Sequence, residues 1–194
     1  MQDKKFVLVL GGARSGKSEF AEQEADRLGG PVTYIATMDP ADQESARRVA
    51  AHRQRRPTGW RTVEETRNLP GRVAEAGLET GVVLVDCLTL WLTNLLLDDQ
   101  IPHPGAGEEE KEFYINSQVE LLASAAKASR SSVLLVANEV GLGLVPPYPL
   151  GRVFRDLAGR ANRQLAAAAD EVYLVVAGLA VEIKSRAVRT GIGN

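Results

Sequence analysis

The segment Gly11-Gly12-Ala13-Arg14-Ser15-Gly16-Lys17-Ser18 is a complete G-x-x-x-x-G-K-[ST] pattern, and it carries the most explicit chemistry in the chain. Its glycines let successive backbone N–H groups turn inward around the β- and γ-phosphates of a nucleoside triphosphate. Lys17 adds a mobile positive charge, and the Ser18 hydroxyl is a ligand for Mg²⁺. The bland alternative is a glycine turn followed by a chance Lys-Ser. Such a loop implies a triphosphate without naming a reaction. The metal needs a second oxygen ligand, usually a carboxylate at the tip of a neighbouring strand, and Asp86 closes the run Val82-Val83-Leu84-Val85. The competing role for Asp86 is to cap a helix beginning near Leu88.

Histidine chemistry has two candidates, His52 and His103. His103 lies between Pro102 and Pro104 and reads as a loop residue. His52 sits in a basic stretch: from Ala41 to Arg56 five arginines oppose Asp42 and Glu44, a local charge of +3 in a chain whose total is −2. On a helix Arg48 and His52 share a face at i, i+4, and Arg55 follows three residues later. Arginines so gathered can hold a polyphosphate while a neutral imidazole attacks phosphorus. Residue types alone leave a solvated basic helix as the competing reading.

Both groups must be positioned by a scaffold, and its outline is visible. Short apolar runs of strand length alternate with helical-period segments, the pattern of β-α-β units around a mainly parallel sheet. Strands are expected at Lys5 to Leu10, Val32 to Ala36, Val82 to Asp86, Ser132 to Ala137 and Glu171 to Val176. Helices are expected near Lys17 to Leu28, Ala41 to Gln54, Leu69 to Gly77, Leu88 to Leu97, Glu109 to Ser129 and Gly151 to Ala168. Ala180 to Lys184 follows Val176 too closely for a crossover, so it should return as an antiparallel edge strand. The Asn138 to Pro149 segment, rich in Gly and Pro, leaves the carboxyl end of a buried strand, where parallel sheets bind ligands. Glu108-Glu109-Glu110-Lys111-Glu112 suits a helix start. One domain over 1–184 and a tail over 185–194 are expected.

Composition excludes much. In 194 residues, 44% are hydrophobic and 25% charged, the balance of a globular protein. The charge of −2 gives no general reason to bind nucleic acid or an anionic membrane. The apolar stretch Val82 to Leu97 is interrupted by Asp86, Thr89, Thr93 and Asn94 and is too short to span a bilayer. The lone Cys87 excludes a disulfide scaffold and fits a reducing cytoplasm.

A resemblance joins these pieces. The phosphate loop, Tyr34-Ile35-Ala36-Thr37, His52-Arg53 with Arg56-Pro57, Trp60-Arg61-Thr62-Val63-Glu64, Asp86-Cys87-Leu88-Thr89 with Thr93-Asn94-Leu95, Asn138-Glu139-Val140-Gly141 and Phe154-Arg155-Asp156 together resemble the bifunctional adenosylcobinamide kinase / adenosylcobinamide-phosphate guanylyltransferase family of cobalamin biosynthesis. The resemblance implies a RecA-like P-loop α/β fold and two reactions. ATP or GTP phosphorylates the aminopropanol hydroxyl of adenosylcobinamide. GTP then gives GMP to a histidine, and the phosphorylated cobinamide takes it to form adenosylcobinamide-GDP. By resemblance His52 is the guanylylated residue. Gly11, Gly12, Ala13, Arg14, Ser15, Gly16, Lys17 and Ser18 bind phosphate, and Ala36, Thr37, Met38, Arg53, Gln54, Arg55, Arg56, Glu64 and Asp86 complete the nucleotide site. Mg²⁺ is the implied cofactor, held by Ser18 and Asp86, and the implied assembly is a homo-oligomer, a trimer. The apolar richness of Leu88 to Leu97 points the same way. In Pro102 to Glu112 no pattern is recognised.

The competing functions explain less. A single-activity P-loop kinase of another small metabolite leaves His52 without a task. A GTP switch would place Asn-Lys-x-Asp where Asn138-Glu139-Val140-Gly141 stands. A RecA-type DNA-dependent ATPase wants a basic stripe with aromatics, which is missing.

Overall fold

The computed structural model describes residues 4–38, 57–79 and 81–188. The expected helix over Ala41 to Gln54 falls outside them, with His52, Arg53, Gln54, Arg55 and Arg56. The terminal residues 189–194 are outside as well.

Seven strands form one sheet: β1 (Phe6–Gly11), β2 (Val32–Ala36), β3 (Arg61–Glu64), β4 (Val82–Asp86), β5 (Ser132–Asn138), β6 (Glu171–Val176) and β7 (Leu179–Glu182). The order is β3-β2-β4-β5-β1-β6-β7. All neighbouring pairs are parallel except β6 with β7, which closes the C-terminal edge antiparallel as expected. The described helices are α1 (Lys17–Leu28), α2 (Leu69–Ala76), α3 (Leu88–Leu97), α4 (Glu108–Ala128) and α5 (Pro149–Ala168).

The central strands are covered on both faces, which is why β1, β4 and β5 are apolar almost throughout rather than alternating. In β1, Phe6, Leu8 and Leu10 join the core beneath α2 to α5, while Val7 and Val9 pack on the other side with Ala21 and Ala25 of α1. Strand β3 was not expected. It is four residues long, lies at the outer edge, and exposes Arg61, Thr62 and Glu64, so neither an apolar run nor a clean alternation marks it.

Helix α3 corrects the reasoning about assembly. Leu88, Trp91, Leu92, Leu95 and Leu96 are all buried within this one chain, Leu90 is half-buried, and only Leu97 faces water. Most of the apolar excess is absorbed by the core of this one chain, so it gives no separate reason to expect an oligomer surface on α3. Its polar residues hold neighbouring loops: Trp91 Nε1 donates to the Arg67 carbonyl at 2.8 Å, and Asn94 Nδ2 donates to the carbonyls of Thr37 at 2.9 Å and Thr66 at 3.2 Å.

Candidate functional site

The loop between β1 and α1 leaves a wholly buried strand and enters a helix whose first residue is Lys17. Two residues in the left-handed region, Arg14 at φ 56° and Gly16 at φ 93°, bend the backbone ahead of the N-terminus of α1. Unpaired helical N–H groups and the helix dipole favour an anion there. Lys17 is buried, and its Nζ donates to the Gly12 carbonyl at 3.1 Å, folding the ammonium back onto the loop. Ser15 is buried with a hydroxyl that has no hydrogen-bond partner among the described residues. The loop has no room for bulk at its first position: a Cβ on Gly11 would lie 2.5 Å from Ser15 Oγ and 2.6 Å from the Val175 carbonyl.

Neighbouring segments brace this loop. The Glu139 N–H donates to the Gly11 carbonyl at 3.0 Å, and the Gly178 N–H donates to the Ser15 carbonyl at 2.8 Å. Gly178 belongs to the two-residue turn between β6 and β7, where Ala177 at φ 51° and Gly178 at φ 78° both adopt the left-handed conformation that such tight hairpins require.

Asp86 ends β4, which is not the immediate neighbour of β1, because β5 runs between them. At the usual strand spacing the two strands are about 10 Å apart. Register places Glu64, Ala36 and Asp86 in one row across β3, β2 and β4. Tyr34, buried two residues earlier on β2, donates its hydroxyl to Asp86 Oδ2 at 3.1 Å. The cap role for Asp86 is not realised: Cys87 occupies the N-cap position of α3, with no side-chain cap bond. Thr37 is fully buried, and its hydroxyl donates to the Cys87 carbonyl at 2.6 Å and accepts from the Cys87 N–H at 2.9 Å. Its side chain therefore ties the tips of β2 and β4 together. Burial, and then the Asp86 carboxylate beside it, push the Cys87 thiol up to about 11.

Thus Gly11 to Ser18, Ala36 to Met38, Glu64 and Asp86 all lie at the carboxyl ends of parallel strands, Glu64 on a strand that the sequence did not mark. Three supports carried no expectation of a role: the Tyr34 hydroxyl, the Ala177-Gly178 turn, and Thr89, whose Oγ1 accepts the Asn138 N–H at 2.7 Å. His103 is exposed, with Nε2 3.5 Å from Glu110, as befits a loop residue. For a cation, the donor set is one hydroxyl and one carboxylate, and no group of three or more His, Cys, Asp or Glu is gathered among the described residues. That set fits Mg²⁺, which takes one or two protein oxygens and completes its shell with water and phosphate. No described helix is long and apolar enough to cross a membrane.

Comparison with known proteins gives one consistent answer. Residues 7–183 match the family model described as cobinamide kinase / cobinamide phosphate guanyltransferase. The bifunctional adenosylcobalamin biosynthesis protein CobU of Escherichia coli K12 is 46% identical over 182 residues, spanning 92% of this chain and 99% of that one. CobU of Salmonella typhimurium LT2 is 42% identical over 188 residues, with 92% and 99% covered. CobP of Pseudomonas aeruginosa PAO1 is 43% identical over 177 residues, with 91% and 96% covered. Among solved structures, an ATPase of a bacterial type III secretion system superposes with TM-score 0.52 at 13% identity, over 96% of this chain and 59% of that one. A Pyrococcus horikoshii OT3 protein gives 0.51 at 10%, over 93% and 86%. These structural likenesses speak for the fold alone.

Proposed function

The chain belongs to the cobinamide kinase / cobinamide phosphate guanyltransferase family, and from that premise we propose that it phosphorylates adenosylcobinamide and then joins GMP to the product. The observation that carries the reading is the braced phosphate loop at the head of a match that continues through the His52 segment to residue 183.

In the first reaction the loop amides from Gly12 to Ser18 and the Lys17 ammonium hold the β- and γ-phosphates of ATP or GTP. The aminopropanol oxygen attacks the γ-phosphorus and its proton passes to water, while the bond to the bridging oxygen breaks and its electron pair leaves with the nucleoside diphosphate. Lys17, released from the Gly12 carbonyl, follows the charge that builds on the transferred group. Ser18 and Asp86 would hold Mg²⁺, which neutralises phosphate charge when bound. Tyr34 fixes one oxygen of Asp86 and leaves the other for that task.

In the second reaction the neutral His52 imidazole attacks the α-phosphorus of GTP. A phosphorus–nitrogen bond forms and pyrophosphate leaves with the electron pair of the broken P–O bond. An oxygen of cobinamide phosphate then attacks the same phosphorus and releases the imidazole. Arg53, Arg55 and Arg56, with Gln54, Glu64 and Ala36 to Met38, are assigned to the nucleotide during this exchange. An imidazole with its ordinary pKa of about 6.5 is mostly neutral at pH 7 and able to attack phosphorus.

The test is incubation with labelled GTP and Mg²⁺ followed by denaturing electrophoresis. One GMP per chain is expected, labile to mild acid and stable to base, absent in His52→Ala, with kinase turnover retained in that variant. Label that persists in His52→Ala, or that resists acid and yields to base as an acyl phosphate does, removes His52 from the reaction. Absence of any label from the parent enzyme leaves a single-activity kinase.

A further inference from the structure

Between β5 and α5 the chain reads Glu139-Val140-Gly141-Leu142-Gly143-Leu144-Val145-Pro146-Pro147-Tyr148. Leu142 is 83% exposed and Leu144 96%, and Val145, Tyr148 and Leu150 also face water. So many large apolar side chains in so short a loop form a patch that folding does not reward.

The backbone beneath them is held. The Glu139 carboxylate accepts the Gly141 N–H at 2.8 Å, and Arg152 Nη1 donates to the carbonyls of Pro146 at 3.2 Å and Pro147 at 2.8 Å. At the far end Gly151 packs so closely under Tyr148 that a Cβ there would lie 2.5 Å from the ring. The leucines are therefore presented outward by a braced loop. Gly141 and Gly143 alternate with them, so no intervening side chain keeps a flat surface away.

Position narrows the occupant. The loop begins at Glu139, bonded to Gly11 of the phosphate loop. Three residues span at most about 11 Å and five about 18 Å, so Leu142 and Leu144 stay within that reach of the phosphate site. A nucleotide offers charge and hydrogen bonds, which leucines do not read. The acceptor is different: it must bring one hydroxyl, on a flexible arm, to the γ-phosphate while a macrocycle with a broad apolar face remains outside the cradle.

We propose that Leu142, Leu144, Val145 and Tyr148 form the platform on which the corrin ring of the acceptor rests, in the kinase and the transferase reaction alike. This rests on the function proposed above.

The test is equilibrium dialysis of the full chain against cobinamide, read by its visible absorption, beside ATP titration and light scattering. The Leu142→Ser, Leu144→Ser double variant should weaken cobinamide binding at least tenfold, with ATP affinity, GTP labelling and molar mass unchanged. Val145→Ser, a milder change, should weaken it several-fold. Cobinamide affinity within twofold of the parent in the double variant overturns the platform. A fall in molar mass overturns it too, because the patch then belongs to a second copy of the chain. If the parent protein binds ATP yet neither binds nor phosphorylates cobinamide, the function fails before any variant is compared, and the platform with it.

Discussion

The roles proposed for Lys17 and Asp86 divide the phosphate site between a mobile charge and a fixed one. Lys17→Ala should fold normally and lower kinase turnover by about 10²-fold or more, since it removes the one charge that moves with the transferred group. Asp86→Asn should lower turnover as well, with added Mg²⁺ restoring only part of it. Wild-type rates in Lys17→Ala, or an unchanged Mg²⁺ titration in Asp86→Asn, would end these assignments. Cys87 offers a test that does not depend on turnover. Its thiol is raised to about 11 by burial and by Asp86, so the neutral form persists in the folded protein across the range in which a free cysteine ionises. Iodoacetamide at pH 8.5 should leave Cys87 unmodified in buffer and alkylate it promptly in urea; prompt alkylation in buffer would show that the tips of β2 and β4 open. At this scale the sequence was informative wherever chemistry is local. The phosphate loop and Asp86 could be read in order. The Tyr34 hydroxyl could not, because its bond to Asp86 joins residues 52 positions apart.

The elements that carry these residues were legible in proportion to their burial. Runs such as Phe6 to Leu10 and Val82 to Val85 announce covered strands, whereas β3 shows most of its side chains to solvent and leaves no such mark. The spacing of β6 and β7 predicts an antiparallel edge, but not that their turn reaches the phosphate loop through a hydrogen bond from Gly178 to Ser15. Gly178 sits at φ 78°, which a β-branched residue strongly disfavours. Gly178→Val should cost about 1–2 kcal/mol in urea unfolding and weaken ATP binding several-fold. Lost stability with unaltered ATP affinity would mean that the turn closes the sheet edge and nothing else.

For the whole molecule, the core within one chain already takes up most of the apolar face of α3, and an oligomer would need further surface. Phe113 and Leu121 on α4 and Leu179 and Val181 on β7 remain exposed. We predict a homo-oligomer, a trimer, by light scattering at micromolar protein; a monomer mass at that concentration refutes it. The order of strands also has a meaning in time. Strand β1 is the first made, yet its two partners are β5 and β6, and the carbonyl of Ser15 waits for Gly178. At the ribosome's pace of roughly 5–20 residues per second, about 10–30 s pass between synthesis of the phosphate loop and synthesis of the turn that holds it. A growing chain therefore carries its nucleotide motif early but cannot shape it until nearly all of the sheet has been translated.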